Sequence, residues 1–281
     1  MTGIDLMAYK GLLVDAFGVL YNQDGGFEES AACVRAFLSA GKPVVVVTNN
    51  ASLAPSTIAE RLHAMGMPIA PECIVSSGRG LAWDPTCRQA MAGRSVFLLG
   101  ADEAGVYVTD AGGRCVAALA ESDAVVLACV AQDASVYDAI IEHKNQRPQC
   151  PIFCINPDRY IPVGRQRVPV VGYFAERIEQ SAGPVQWMGK PLPVFSAVVR
   201  TYCADVLGVS IDEDWVFVDD NPDNVRQMTQ DLGIQGLVSV VTGLAQSWPT
   251  PLPQSDAWRY INRLSTRADL WYDNASKTEK G

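Results

Sequence analysis

Four places along this 281-residue chain hold residue types able to do chemistry on an anionic group. Asp15 follows the apolar run Gly11-Leu12-Leu13-Val14, and Thr48-Asn49-Asn50 follows the unbroken run Val44 to Val47. Asp219-Asp220 closes the run Trp215 to Val218, and Lys190 follows a glycine in Met188-Gly189-Lys190-Pro191. Together they offer a carboxylate that can attack and hydroxyl and amide groups that can hold phosphate oxygens. They also offer a fixed cation and further carboxylates for a metal. Singly, each has a plainer account: a strand-end Asp is a common turn or N-cap residue, and Thr-Asn-Asn is turn chemistry. A lone lysine is usually solvated, and Asp219-Asp220-Asn221-Pro222 makes a sound turn and helix start. Order and placement raise the set above a chance motif match.

The elements that must position these residues follow from the hydrophobic pattern. Gly11 to Val14 and Val44 to Val47, apolar on both faces, suit central strands of a parallel sheet covered by helices. Glu28 to Ala40 is expected as a helix stopped by Gly41. A second helix is expected with Ser52 as N-cap and Pro55 in its first turn; Ile58, Leu62 and Met65 share one face. Strand alternating with helix implies right-handed crossovers and a doubly wound, Rossmann-like α/β sheet. Ligands of such sheets bind outside the carboxyl ends of the strands, where three of the four groups stand.

The middle of the chain repeats the rhythm as a unit of its own. Ser95 to Leu99, Ala124 to Val130 and Pro151 to Ile155 are expected strands, with helices around Asp102 to Asp110 and Asp133 to Lys144. Residues 79–188 are therefore taken as an inserted α/β domain, and 1–78 plus 189–281 as the core. Gly78-Arg79-Gly80 and Ala182-Gly183-Pro184 are the candidate hinges. The first pattern resumes with a helix from Pro193 to Leu207, then Trp215 to Val218 and Leu237 to Val241. Residues 275–281 are polar and expected to fray.

Composition narrows the function classes. The chain is 48% apolar and 19% charged, a globular balance. A net charge of −9 argues against a broad nucleic-acid or anionic-membrane footprint, so an anionic substrate must be held by local positive charge. Eight cysteines stand singly, with no Cys-x-x-Cys and only His63 and His143 as partners, a poor zinc pattern. Small buried thiols in a reducing compartment are the expectation. The first residues lack a basic segment followed by an apolar one, and no apolar run reaches membrane-spanning length. A cytoplasmic protein is expected.

At this level the sequence resembles a known group. Val14-Asp15-Ala16-Phe17-Gly18-Val19-Leu20 resembles motif one of the haloacid dehalogenase (HAD) superfamily. Thr48 resembles motif two, Lys190 motif three and Asp219-Asp220 motif four. Asp15 and Thr48 lie 33 positions apart, Thr48 and Lys190 142 apart, and Lys190 and Asp220 30 apart. Only the middle interval has room for a complete cap. The layout resembles class IIA, the NagD-like group with an α/β (C2-type) cap, whose members include sugar-phosphate and nitrophenyl phosphate phosphatases. Val47-Thr48-Asn49-Asn50, Val75-Ser76-Ser77-Gly78, Asn156-Pro157-Asp158-Arg159 and Gly189-Lys190-Pro191 match that class, and the resemblance runs from about residue 10 to 245.

The resemblance implies a Mg²⁺-dependent phosphatase acting on a small phosphorylated molecule. Asp15 would be the nucleophile that carries the phosphoryl group. Mg²⁺ would take Asp15, the Phe17 main-chain carbonyl and Asp220 as ligands, with Asp219 the second choice in motif four. The Thr48 hydroxyl, Asn49 backbone N–H, Asn50 and Lys190 would hold the phosphate. Asn156, Asp158 and Arg159, just after a cap strand, are candidates to face the substrate, Arg165 and Arg167 weaker ones. Dimerisation through the cap is common in the group, so a homodimer is a further expectation.

Two departures bear on the chemistry. Many phosphatases of the superfamily carry a second Asp where this chain has Phe17, and a phenyl ring can neither protonate a leaving oxygen nor activate water. Such help is typically worth about 10²–10⁴-fold. In motif four, Asp219 stands where the class usually has Gly, and Asn224 or Val225 where a further Asp is common. Two rivals follow: a 2-haloacid dehalogenase-type or other HAD hydrolase, and a catalytically weak metabolite-binding protein on the same fold. The first lacks room here for its early cap and has no use for a metal-binding Asp220.

Overall fold

The computed structural model describes residues 3–163, 166–240 and 258–269. The expected tail at 275–281, the last residue of the 237–241 run and Arg165 lie outside them.

The chain divides into two compact units. One comprises Met1–Val47, Ala59–Ile74 and Cys203–Gly281, the other Thr48–Ile58 and Val75–Tyr202. The expected cap segment falls inside the second.

A six-stranded sheet runs, edge to edge, Trp258–Ile261, Gln235–Ser239, Trp215–Asp219, Gly11–Val14, Val44–Thr48 and Ile74–Ser76. Its pairs from Trp258–Ile261 to Val44–Thr48 are parallel. Leu12, Leu13, Val14, Val45, Val46 and Val47 have no accessible surface, which is why these strands are unbroken apolar runs rather than alternating ones. Burial of each such side chain contributes roughly 1.5–3 kcal/mol, and Leu13→Ala is expected to cost about 2–5 kcal/mol.

The helices of this unit show their causes in sequence. Glu28–Ser39 opens with Glu28 and Glu29, which favour the positive end of the helix dipole, and buries Ala31, Val34 and Phe37. It stops at Gly41, whose φ of +68° lets Lys42 N–H turn back to Phe37 O at 2.9 Å. Pro222–Leu232 starts on Asn221, whose side chain accepts from Asp223 N–H, and ends at left-handed Gly233. The helix expected after Thr48 spans Pro55–Ala64, so Ser52 stands too early to cap it. Its N–H and hydroxyl instead donate to Asn50 Oδ1, an Asx turn.

The second unit carries a five-stranded, wholly parallel sheet ordered Gln186–Trp187, Ile152–Cys154, Ala124–Leu127, Ser95–Leu99 and Arg114–Val116. The helices Ser135–Gln146 and Val171–Ala182 pack on it through Tyr137, Ile140, Ala175 and Ile178. The Tyr137 and Phe174 rings stack at 4.3 Å. Gly78 and Gly80 are close-packing positions: a Cβ on Gly78 would meet the Tyr107 ring at 2.5 Å, and one on Gly80 would strike Met188. Among the described residues no helix is long and apolar enough to cross a membrane.

Candidate active site

Strand order brings the acidic residues together. The chain leaves Gly11–Val14 toward Val44–Thr48 on one side and returns to Trp215–Asp219 on the other, so those two neighbours straddle the switch point of the sheet. Val218 pairs with Val14, and Asp15 N–H donates to Val218 O at 2.8 Å. Asp15, Asp219 and Asp220 then offer carboxylate oxygens within 4.8 Å of one another, all three residues buried.

Within this group the carboxylates differ. Asp219 Oδ1 accepts from Asn221 N–H at 2.8 Å, and both its oxygens face Asn224 Nδ2 at 3.2 and 3.3 Å. It braces the turn that starts the next helix. Asn224 Oδ1 has no partner and is buried, an acceptor beside an acidic cluster. The loop after Asp15 folds tightly: Gly18 has φ +91°, and a Cβ there would meet Asp220 Oδ2 at 2.5 Å. Only glycine lets this backbone approach the Asp220 carboxylate so closely. Phe17 is 36% exposed and meets Tyr21 edge-on at 5.9 Å, so its ring packs on the loop instead of filling the core.

Three buried carboxylates at this spacing repel one another unless a cation sits among them. Hard oxygen donors, an acceptor left over on Asn224 and a loop shaped to Asp220 suit a hard divalent cation better than a soft-ligand metal.

The second unit gathers the other expected residues. Thr48 ends its strand with its hydroxyl accepting from Asn50 N–H at 3.1 Å. Asn49 reaches across the sequence: its Oδ1 accepts from Lys190 N–H at 2.7 Å, and its Nδ2 donates to Lys190 O at 3.0 Å and Asp158 Oδ1 at 2.8 Å. Lys190 is fully buried although it is a lysine. Ser77, matched in sequence only as part of a motif, places its hydroxyl against Asn49 O at 3.0 Å and against Ile155 O.

The remaining candidates stand apart from that cluster. Asn156 Oδ1 accepts from Asp158 N–H and so shapes its own turn. Arg159 is exposed and pairs with Glu176 at 3.3 Å, and Arg167 lies over the Tyr160 ring. Asn50 is taken up by Ser52.

Fold and acidic cluster together define a doubly wound α/β protein with a metal-capable carboxylate site at the switch point. A family model described as haloacid dehalogenase-like hydrolase matches residues 12–114. An acid sugar phosphatase of Staphylococcus aureus is 26% identical over 208 residues, 73% of this chain and 76% of the relative. Among solved structures, a p-nitrophenyl phosphatase from Archaeoglobus fulgidus aligns with a TM-score of 0.73 at 20% identity, covering 92% of this chain and 97% of that one. NagD from E. coli K-12 aligns with a TM-score of 0.71 at 19% identity, covering 92% and 98%. The chain shares its fold with these structures, and its residues 12–114 are similar to the haloacid dehalogenase-like hydrolase family.

Proposed function

We propose that this protein is a phosphatase that cleaves a small phosphorylated metabolite, such as a sugar phosphate, through an aspartyl-phosphate on Asp15. The observation that carries the reading is the buried group of Asp15, Asp219 and Asp220 at the switch point of the sheet. The names of the matched relatives point to the same class of substrate.

In this reading the Asp15 carboxylate attacks phosphorus in line, the P–O bond to the alcohol breaks, and the leaving oxygen takes its proton from water. Phe17 has no proton to give, which favours substrates whose leaving group needs little acid help. Water then attacks the phosphorus of the acyl phosphate, releasing orthophosphate and restoring Asp15. Asp15, Asp220 and the Phe17 main-chain carbonyl would hold Mg²⁺, which would supply the positive charge that lets two anions meet. Asp219 braces the turn that presents Asp220. Thr48, Asn49 N–H and Lys190 are assigned to the phosphate oxygens, a role carried by the family resemblance. The cap is assigned to residues 79–188, and a homodimer and a cytoplasmic location belong to the same reading.

The test is phosphate release from a panel of phosphometabolites and p-nitrophenyl phosphate, with Mg²⁺ or EDTA, run beside Asp15→Asn. Turnover that needs Mg²⁺ and Asp15 supports the proposal. Equal rates in the two proteins, or halide release from 2-haloacids that is indifferent to EDTA, would overturn it.

A further inference from the structure

Resting on the phosphatase reading, we propose that Asn49 and Asp158 are positioning residues that fix the Lys190 main chain, and that Asp158 acts through Asn49 rather than on substrate. The Asn49 amide forms the two hydrogen bonds that a neighbouring strand would form, accepting from Lys190 N–H at 2.7 Å and donating to Lys190 O at 3.0 Å. Lys190 lies outside helix and strand, so a side chain supplies what a ladder would otherwise give its buried backbone groups. The second Asn49 N–H goes to Asp158 Oδ1 at 2.8 Å. That bond fixes which way the amide faces. Rotated by half a turn, the amide would set its oxygen against the Asp158 carboxylate and against Lys190 O, and its NH₂ against Lys190 N–H.

The surroundings are built around this arrangement. Gly189 has φ +130°, and a Cβ there would meet Asn49 Oδ1 at 2.6 Å and Pro157 Cδ at 2.6 Å. Glycine is thus required before Lys190 both by conformation and by the approach of Asn49 and the Pro157 turn. Gly172 serves the same turn from the other side: its N–H donates to Asp158 O at 2.9 Å, and a Cβ there would strike Pro157 O. Ser77 restrains Asn49 through its main-chain oxygen. Asp158 is therefore seated by its own backbone, and its carboxylate Oδ1 accepts from Asn49. The consequence is placement of the Lys190 side chain, where a shift of about 1 Å is typically worth 10²-fold in rate.

The experiment compares Asn49→Ala, Asp158→Ala and Lys190→Met with the wild type, alone and combined. Asn49→Ala and Asp158→Ala are expected to lower kcat/KM by about 10–100-fold, by a similar factor for p-nitrophenyl phosphate and for sugar phosphates. In the Lys190→Met background both are expected to cost nothing further, because the group they position is gone. A loss that differs widely between leaving groups, or that adds fully to Lys190→Met, would overturn the proposal and return Asp158 to the substrate. Asp158 is half-buried, so its variant carries the test if Asn49→Ala fails to fold. A second readout needs no turnover: trace acetylation of Lys190 with acetic anhydride, read by mass spectrometry on the native proteins. Faster labelling of Lys190 in both variants supports positioning, and unchanged labelling counts against it. If the wild type releases no phosphate, the phosphatase reading has failed, and the labelling alone still decides whether Asn49 and Asp158 hold Lys190.

Discussion

Asp15 N–H donates to the Val218 carbonyl at 2.8 Å, a bond that carries strand pairing one residue past Val14. It sets Asp15 at the strand tip level with Asp219, so the acidic cluster is a consequence of register. A slip of one residue would turn Val218 and Asp219 each to the other face and disperse the three carboxylates.

Asp15→Asn is the first prediction. The substitution keeps size and the Val218 bond, since that bond uses the backbone, but an amide oxygen is no nucleophile toward phosphorus. Loss of turnover by about 10⁴-fold or more is expected, with thermal stability unchanged or raised because one of three crowded charges is gone. Orthophosphate release and a melting curve check both halves; a fully active Asp15→Asn would move the nucleophile elsewhere.

Gly18→Ala tests the loop beside the cluster. The φ of +91° already disfavours alanine, and its methyl would press on Asp220 Oδ2 at 2.5 Å. Strain of this kind costs on the order of 1–3 kcal/mol. Because Asp220 must move, the Mg²⁺ concentration for half-maximal activity is expected to rise about 10–100-fold. A Mg²⁺ titration of activity, with calorimetry of Mg²⁺ binding beside it, decides; an unchanged midpoint would mean that Asp220 is not a ligand.

How much of this was legible in the sequence depends on whether a signal was local. Gly11 to Val14, Val44 to Val47 and the stop at Gly41 were readable, because burial on both faces and a left-handed cap leave marks within a few residues. The short strands Arg114–Val116 and Gln186–Trp187 were not, being two or three residues long with no apolar run. The hairpin of Tyr160–Val163 and Gln166–Pro169 was likewise missed; Ile161, Arg167, Val168 and Pro169 are exposed, so burial leaves no mark at these positions. Asp15 and Asp220 could be named from strand ends and motif order. The side-chain bonds of Asn49 to Lys190 could not, because they join residues 141 positions apart and depend on Gly189 and Gly172 making room. The sequence pattern offers Asp158 as a substrate contact, and the bond from Asn49 Nδ2 to Asp158 Oδ1 is the observation behind the positioning role proposed for it.

Tyr107→Phe probes how the segment after Thr48 is held. Tyr107 is fully buried, its hydroxyl donating to Leu53 O at 2.7 Å and accepting from Ser76 Oγ at 2.8 Å. Nearby, Glu103 Oε2 accepts from Ala54 N–H at 3.0 Å. Removing the hydroxyl leaves Leu53 O and Ser76 Oγ each short of a partner, a loss of about 1–3 kcal/mol. A denaturant midpoint lowered without a change in slope is the expected result. A variant as stable as the wild type would show that water replaces the hydroxyl at no cost.

The buried thiols predict an alkaline limit to stability. Burial pushes Cys33, Cys87, Cys154 and Cys203 up to about 12, whereas an unfolded cysteine ionises near about 8.5. The folded-state values are raised, so the stability these thiols contribute is fully present below about pH 8.5. It is lost as pH climbs toward 12, because the unfolded chain gives up protons that the folded one keeps. The urea midpoint is therefore expected to fall steadily between pH 8.5 and 11. Tyr107, raised to about 12 by burial, acts in the same direction above pH 10, so the thiol share must be isolated by substitution. Replacing Cys33 and Cys154 by Ala, two positions with no exposed surface, should flatten the decline while lowering the midpoint at pH 7. A thiol reagent at pH 8 is expected to modify exposed Cys115 in the native protein and to reach these four only on unfolding. An alkaline slope identical in the double variant, or prompt native-state labelling of Cys33 or Cys154, would remove the thiols as its cause.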